Sequence, residues 1–344
     1  MEDLWSYLQK QNKPIVLYGM GNGADKILSV FSDKGIECRG VFASAGFARG
    51  NYFHGFKVSE YSAIKNELGE FIVLVSFASA LPEVISNVKK ISEEQELYIP
   101  DVPVCGNELF DGDFYIANKN EIAETRSLLV DDFSKFLYDN IVATRLSGRL
   151  DGLFDFTSTE DEIMSLLGAE NFTSFVDCGA YVGDTVLSLK KYAPKLQNVY
   201  AFEPSPTSIR KMTENLSHLS NVKIIHGAVS DRTGTIPFTK GGGRGARGQN
   251  KSTVNVPLVR VDDCVNDKTD YIKYDVEGAE AQALSGSADT IKAYEPNMRV
   301  ALYHRGGDIF RLPQKVHEML PDHKLYIRRR ACMPLWDIDL LAIK

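Results

Sequence analysis

Residues 175–186, FVDCGAYVGDTV, constrain the fold more than any other part of the sequence. An apolar run leads to Asp177, and two glycines, Gly179 and Gly183, precede residues that favour a helix. This pattern predicts a β-strand, a tight turn and a helix. Such a turn lets a ligand approach the backbone closely and offers it the N–H groups of a helix N-terminus. Nucleotide-like ligands are therefore the first candidates.

The chain has 344 residues, which exceeds the size of one typical domain of ~150 residues and favours two. Strands and helices alternate near both ends of the sequence, and a helical periodicity separates the two regions. We therefore predict an α/β protein with two doubly wound, Rossmann-like domains. Residues 1–106 form an accessory domain, residues 107–170 a helical bridge, and residues 171–344 the second domain.

Charge and hydropathy exclude several classes of protein. Lys and Arg total 39 against 46 Asp and Glu, a net charge of −7 that does not indicate nucleic-acid binding. The longest apolar run, residues 71–81, is shorter than the ~20 residues of a membrane-spanning helix, and the N-terminus lacks a signal-peptide core. The five cysteines are scattered, so reduced thiols are expected. We predict a soluble, cytoplasmic protein without a membrane span or a nucleic-acid partner.

The first glycine-rich turn, LYGMGNGA, matches the dinucleotide fingerprint at Gly19, Gly21 and Ala24. That fingerprint also requires an acidic residue about 20 positions later, at the end of the second strand. Ser44 stands in this region instead. The sequence thus favours a packing turn in an accessory domain that binds another ligand or none. A sugar-nucleotide or dinucleotide binding protein or oxidoreductase working through this domain is the alternative function.

The second glycine-rich turn has its acidic partner, because the next strand, NVYAFEP, ends at Glu203. A carboxylate there can accept hydrogen bonds from both hydroxyls of a ribose. Asp177 would repel a pyrophosphate but attract the ammonium group of an amino acid. S-adenosylmethionine satisfies both conditions. The predicted cofactor-binding residues are Asp177, Gly179, Ala180, Tyr181, Gly183, Asp184, Thr185, Glu203, Pro204, Ala228, Val229 and Asp275.

Catalytic candidates follow from their place in the sheet, because ligands bind beyond the carboxyl ends of parallel strands. His304 and Asp275 are both predicted to end such strands. A hydroxyl that accepts a methyl group must be aligned with that group and lose its proton, so His304 is the predicted base and Asp275 the second candidate. A structural histidine remains the alternative. Glu277 and Glu280 either cap a helix or contact a ligand. A metal shared by Asp275 and Glu277 lacks a third ligand, so none is predicted.

Six segments together resemble the FkbM family of S-adenosylmethionine-dependent methyltransferases over about residues 172–344: FVDCGAYVGDTV, AFEPSP, GAVSDRTG, VDDCV, YIKYDVEGAE and LYHRGGDIFRLP. The preceding helical stretch resembles longer members that carry an N-terminal Rossmann-like domain. The resemblance implies a class I methyltransferase sheet whose last two strands, HKLYIRRR and DIDLLAIK, form an antiparallel hairpin. It also implies methylation of hydroxyls on sugars, polyketides or other natural products.

The expected partner is therefore a carbohydrate or small-molecule acceptor, whose identity and methylated position the sequence does not specify. A homo-oligomer is an open alternative for the assembly. The glycine-rich segment 240–252 is predicted to be a mobile loop. Its Arg244 and Arg247 are either solvated or close over an anionic acceptor.

Overall fold

The computed structural model describes residues 2–44, 46–48, 50–239 and 253–344, so the predicted loop with Arg244 and Arg247 lies outside the described residues. Short strands and helices alternate in the amino-terminal part. Its elements are α1 (Leu4–Leu8), β1 (Ile15–Tyr18), α2 (Asn22–Lys34), β2 (Cys38–Ala43), β3 (Tyr52–Phe53), β4 (Phe56–Lys57), β5 (Ser59–Glu60), α3 (Tyr61–Leu68), β6 (Ile72–Val75), α4 (Pro82–Glu94) and β7 (Glu96–Tyr98).

Among these described elements, five strands form one parallel sheet in the order β5-β2-β1-β6-β7. All residues of β1 and β6 are buried, as expected for central strands covered on both faces. The order reverses between β1 and β6, which is where a doubly wound sheet opens a crevice at its carboxyl edge. The predicted parallel α/β arrangement of this region is confirmed.

The predicted helical stretch forms separate helices, α5 (Gly112–Leu128), α6 (Asp132–Ser147) and α7 (Glu160–Leu166), followed by a 3₁₀ turn at Ala169–Asn171. The break after α5 has a local cause. The Asp131 carboxylate accepts a hydrogen bond from Ser134 N and thereby caps a new helix, while Val130 N donates to Leu325 O. In the described ranges, no helix combines the length and apolar character that crossing a bilayer requires.

The carboxyl-terminal part contains a larger sheet. Its elements are β8 (Ser174–Cys178), α8 (Asp184–Leu189), β9 (Asn198–Glu203), α9 (Pro206–Leu216), β10 (Val222–His226), β11 (Ala228–Val229), β12 (Gly234–Thr239), β13 (Thr253–Val259), α10 (Val261–Cys264), β14 (Tyr271–Tyr274), α11 (Glu280–Ser285), α12 (Ala288–Tyr294), β15 (Asn297–Ala301), α13 (Asp308–Met319), β16 (Lys324–Arg329) and β17 (Ile338–Ile343).

In the described residues, seven of these strands form a sheet in the order β10-β9-β8-β14-β15-β17-β16. The strands from β10 to β15 in this order are parallel to one another, whereas β17 is antiparallel to both β15 and β16. The predicted final hairpin is therefore confirmed. A small separate sheet, β11-β13-β12, lies beside β9.

The carboxyl edges of the two large sheets face each other. Ser79, which follows β6, exchanges two backbone hydrogen bonds of 2.8 and 3.0 Å with Met333, between β16 and β17. Cys105, which follows β7, donates its backbone N–H to the carbonyl oxygen of His304, after β15, at 2.8 Å. The bridging helices fill the space beside this contact, so that a single apolar cluster includes Val16, Val73, Leu137, Ile141, Ile272 and Val300.

Buried charges cross the larger sheet from β8 to β17. Lys273 on β14 lies in register with Asp177 on β8 and with Arg299 on β15. Arg299 donates to Asp339 on β17 at 2.7 Å and to Glu160 on α7 at 2.8 Å. A buried charge is tolerated only where an opposite charge or hydrogen bonds compensate it. Arg299 thus fixes α7 and the final hairpin to the parallel strands.

Replacing Arg299 with methionine should destabilise the fold, because the buried Asp339 carboxylate would lose its cation. We expect Arg299→Met to lower the free energy of unfolding by about 3–5 kcal/mol, measured by urea denaturation. Arg126→Ala is the matched control. It breaks an exposed ion pair with Asp139, whose partners are 42% and 49% exposed, and should change stability by less than about 1 kcal/mol. Equal losses in the two variants would contradict the prediction.

Candidate functional site

The second glycine-rich turn connects β8 to α8 and packs tightly. Gly179 adopts φ +92°, and a Cβ atom there would lie 2.0 Å from the carbonyl oxygen of Asp275. Gly183 adopts φ +83°, and a Cβ atom there would lie 2.8 Å from the nearest carbon of Leu216 in α9. Both positions require glycine, since a side chain would clash and the backbone is left-handed. The two glycines therefore let the turn pack closely against the loop after β14 and against α9.

Glu203 is the last residue of β9 and lies beside this turn, with only 6% of its surface exposed. Its Oε2 accepts a hydrogen bond from Tyr181 N at 3.0 Å, and its Oε1 accepts one from Ser205 N at 2.8 Å. Burial raises the pKa of Glu203 to about 7, although the two backbone donors act in the opposite direction. Each carboxylate oxygen keeps acceptor capacity for a further donor.

Asp177 and Lys273 form a buried pair on adjacent strands. Asp177 is fully buried, its Oδ1 lies 3.9 Å from Lys273 Nζ, and neither oxygen has a hydrogen-bond partner among the described residues. Burial raises the pKa of Asp177 to about 6, against the effect of Lys273. Burial also opposes the charge of Lys273, but Asp275 and Asp177 together raise its pKa above the ordinary value. The sequence reasoning missed Lys273, whose signal was a lysine inside the apolar strand YIKYD.

Asp275 follows β14 and connects the lysine to the histidine. Its carboxylate lies 3.2 Å from Lys273 Nζ, accepts a hydrogen bond from the Tyr303 hydroxyl at 3.3 Å, and lies 3.6 Å from His304 Nε2. Burial opposes its ionisation, but Lys273 and His304 lower the pKa of Asp275 to about 2. About a third of its side chain is exposed, whereas His304 is buried. Asp275 is thus an ionised group at the surface of the cluster.

His304 lies between carboxylates from one loop. Its Nδ1 is 2.9 Å from Glu280 Oε1, and its Nε2 is 3.7 Å from Glu277 Oε2. Burial lowers the pKa of His304, but Glu280, Asp275 and Glu277 outweigh it, so the net shift is upward. Glu280 was expected to cap a helix or contact a ligand; in the structure its carboxylate lies against this histidine. In the described part of the chain, no group of three or more His, Cys, Asp or Glu side chains is arranged to hold a metal ion.

The remaining predicted cofactor residues surround the same edge. Tyr181 has a left-handed backbone and an exposed side chain, while Asp184 and Thr185 begin α8 and Pro204 follows β9. Ala228 and Val229 form β11 of the small sheet. The preceding residue, Gly227, donates its N–H to the carbonyl oxygen of Glu203 at 3.1 Å. The structure therefore places the turn after β8, the end of β9 and the short strand β11 beside one another.

In the amino-terminal glycine turn, Gly19 and Gly23 pack against the segment after β6, whereas a Cβ atom on Gly21 would meet nothing within 4 Å. A Cβ atom on Gly23 would lie 2.2 Å from the carbonyl oxygen of Ser76. Ser44, in the region where the dinucleotide fingerprint requires an acid, lies 2.6 Å from the Tyr18 hydroxyl, which accepts a hydrogen bond from Asn87 at 2.8 Å. These polar groups satisfy one another within the domain.

Comparison with known proteins identifies related sequences and folds. The family described as Methyltransferase FkbM domain matches residues 177–329. The 2-O-methyltransferase NoeI of Sinorhizobium fredii is 26% identical over 155 residues, which cover 38% of this chain and 63% of that protein. The match thus spans less than two thirds of NoeI. The hexuronic acid methyltransferase AglP of Haloferax volcanii is 27% identical over 181 residues, covering 50% of this chain and 71% of AglP.

One solved structure shares the architecture over nearly the whole chain. The crystal structure of a methyltransferase FkbM from Methylobacillus flagellatus superposes with a TM-score of 0.73 at 15% sequence identity. The superposition covers 96% of this chain and 90% of the other. Both large sheets therefore belong to the shared fold.

Gly179→Ala should disrupt the site, because the new Cβ would clash with the carbonyl oxygen of Asp275 and alanine disfavours a φ of +92°. We expect a loss of at least about 2 kcal/mol in the free energy of unfolding, measured by urea denaturation. Gly21→Ala in the other turn is the control, since a Cβ there would meet nothing within 4 Å. A Gly179→Ala protein as stable as the control would show that the turn tolerates a side chain.

Proposed function

We propose that this protein is an S-adenosylmethionine-dependent O-methyltransferase, because residues 177–329 match the methyltransferase FkbM domain. Its proposed acceptor is a hydroxyl group of a sugar, a glycan precursor or a related natural product. The observation that carries the proposal is the buried Glu203 carboxylate, held by two backbone N–H groups beside the glycine turn.

The residues around the turn fit the proposed cofactor. Glu203 would accept hydrogen bonds from both ribose hydroxyls, because each of its oxygens keeps a free lone pair. Gly179 and Gly183 allow the tight turn that places the Tyr181 N–H beside it. Asp177 would contribute negative charge behind the turn that favours a cationic group, but its side chain is fully buried beside Lys273, so it would act without direct contact. When bound, S-adenosylmethionine supplies an electrophilic methyl group.

The names of the relatives support a sugar hydroxyl as the acceptor. NoeI is a 2-O-methyltransferase and AglP is a hexuronic acid methyltransferase. The side chains that border the proposed acceptor position are ionised or polar: Asp275 is one-third exposed and Glu277 is largely exposed. Such carboxylates accept hydrogen bonds from the several hydroxyls of a carbohydrate.

We assign the removal of the acceptor proton to His304. An alkyl hydroxyl does not lose its proton unaided near neutral pH, so a base must accept it during the transfer. The buried Nε2 atom lies 3.6 Å from Asp275 Oδ1 and 3.7 Å from Glu277 Oε2, the two partly exposed carboxylates that border the proposed acceptor position. Lys273 and the Tyr303 hydroxyl hold the Asp275 carboxylate in place. His304 must be neutral to act, so the rate should rise with pH through its raised pKa.

A transfer assay tests the whole proposal. The protein is incubated with isotopically labelled S-adenosylmethionine and separately with methyl glucuronide, methyl glucoside and methyl fucoside, and the products are analysed by mass spectrometry. We expect one labelled methyl group on a ring hydroxyl of at least one of the three. A reaction without the protein serves as the negative control. Cofactor binding without methylation of any sugar would reject the acceptor class, and absence of cofactor binding would reject the enzyme.

Cofactor affinity should depend on the ionisation of Glu203. Its pKa is about 7, so lowering the pH from 8 to 6 protonates the acceptor of the ribose hydroxyls. We expect the affinity for S-adenosylhomocysteine to fall by up to about tenfold over this range, measured by isothermal titration calorimetry. Glu203→Ala should lose about 1.5–3 kcal/mol of binding free energy at pH 8.

Glu203→Gln provides the control for the pH dependence, because its amide does not titrate in this range. Its affinity for S-adenosylhomocysteine should be nearly constant between pH 6 and 8. If the wild-type protein and this variant show the same pH profile, another group titrates and Glu203 does not bind the ribose.

His304→Ala should reduce turnover by about 10²–10⁴-fold, the usual contribution of a general base. Affinity for S-adenosylhomocysteine should stay within about threefold, since the imidazole is not a proposed cofactor ligand. The measurement uses an acceptor identified in the transfer assay. Asp275→Asn is the comparison: loss of activity there with a fully active His304→Ala protein would assign the base to Asp275. Wild-type rates in both variants would exclude both residues.

A further inference from the structure

Glu280 and His304 form a buried pair behind the exposed part of the site. Each has only 1% of its surface exposed, and the Glu280 Oε1 and His304 Nδ1 atoms are 2.9 Å apart. We propose that Glu280 is a positioning residue that keeps a proton on Nδ1 of His304 and directs Nε2 toward the acceptor. This inference rests on the proposed function, in which His304 is the base.

Backbone hydrogen bonds hold the Glu280 carboxylate in place. Its Oε1 also accepts hydrogen bonds from Val276 N at 2.9 Å and from Gly278 N at 3.4 Å. The loop between Val276 and Glu280 is tightly turned, since the backbone is left-handed at Glu277, with φ +54°, and at Gly278, with φ +92°. A Cβ atom on Gly278 would lie 2.8 Å from Cys105 Cβ. The carboxylate therefore has a single position against the imidazole ring.

The two ring nitrogens of His304 face different carboxylates. An ionised carboxylate only accepts hydrogen bonds, so the nitrogen that faces Glu280 is favoured to carry a proton. The lone pair of neutral His304 is then on Nε2. This atom lies 3.6 Å from Asp275 Oδ1 and 3.7 Å from Glu277 Oε2, which are the exposed members of the cluster. The nitrogen able to accept a proton is thus the one that faces these two partly exposed carboxylates rather than Glu280.

Several carboxyl groups surround the imidazole ring of His304. Asp275 and Glu277 from the loop after β14, Glu280 from α11 and Asp308 from α13 surround His304 with negative charge. Lys273 faces Asp275, and the Arg145 guanidinium of α6 donates to the carbonyl oxygens of Gly306 and Leu302. Glu280 is the nearest carboxylate to the ring and the one that faces Nδ1. Its removal should therefore affect both the basicity and the tautomer of His304.

The test is an NMR titration of the full chain labelled with ¹⁵N in its histidines, without cofactor or acceptor. His304 is assigned from the signal that His304→Asn removes. In the wild-type protein we expect neutral His304 to carry its proton on Nδ1 and to titrate above an ordinary histidine. In Glu280→Gln the midpoint should fall by at least about one pH unit, a tenfold loss of proton affinity, and the Nδ1–H tautomer should lose its dominance.

Two further variants separate positioning from a general effect of charge or folding. Glu280→Asp keeps a carboxylate and should restore part of the shift in midpoint. Asp308→Asn removes a buried negative charge from another helix, where Asp308 accepts a hydrogen bond from Arg305 N at 2.8 Å. It should lower the midpoint less than Glu280→Gln and leave the Nδ1–H tautomer dominant.

The proposal is overturned if neutral His304 of the wild-type protein carries its proton on Nε2, a result that requires no folded variant. It is also overturned if Glu280→Gln folds and keeps the wild-type midpoint and tautomer. Since the titration uses neither substrate, it can succeed where the transfer assay finds no methylated sugar. With a verified acceptor, the acidic limb of the kcat profile should shift downward in pH with the NMR midpoint, while KM stays within about twofold.

Discussion

The rest of the site depends on the ion pairs that the Lys273 ammonium group forms with Asp177 and Asp275. Asp177 leads into the glycine turn and Asp275 leads into the loop with Glu277 and Glu280. The ammonium group of Lys273, on β14 beside β8, lies 3.9 Å from Asp177 and 3.2 Å from Asp275. Without its charge, the buried Asp177 carboxylate and the partly exposed Asp275 carboxylate would repel each other. The lysine thus allows the turn that faces the proposed cofactor and the loop that faces the proposed acceptor to end side by side.

Distance from Lys273 and burial together explain why the pKa values of Asp275, Asp177 and Glu203 differ widely although the three residues lie in one small region. Asp275 touches the lysine and has a pKa of about 2. Asp177 is farther from that cation and fully enclosed, with a pKa of about 6. Glu203 has only neutral backbone donors, and burial raises its pKa to about 7. Distance from one cation and access to water therefore divide chemically similar groups into an ionised surface and a titratable interior.

Local features were predictable from the sequence, whereas the contacts that organise the site were not. The glycine turn and the strand ending at Glu203 follow from short patterns of apolar residues and glycine, because these depend on neighbours in the chain. The final hairpin was implied by the family resemblance. Lys273 and Glu280 act through residues on other elements, so their partners emerge only when strands pair and helices pack. The break before α6 depends on one capping aspartate, Asp131, within an otherwise continuous helical periodicity.

The segment that contains Cys105 connects the amino-terminal sheet to the part of the site that faces the proposed acceptor. It continues from the last strand of the amino-terminal sheet, its backbone bonds to His304, and its thiol donates to the carbonyl oxygen of Glu277 at 2.9 Å. Lys26 of α2 donates to the two preceding carbonyl groups, Pro103 and Val104. A molecule that binds the amino-terminal sheet with different affinity for two positions of this segment would be coupled to the acceptor by linkage. The acceptor would then change the affinity for that molecule by the same factor.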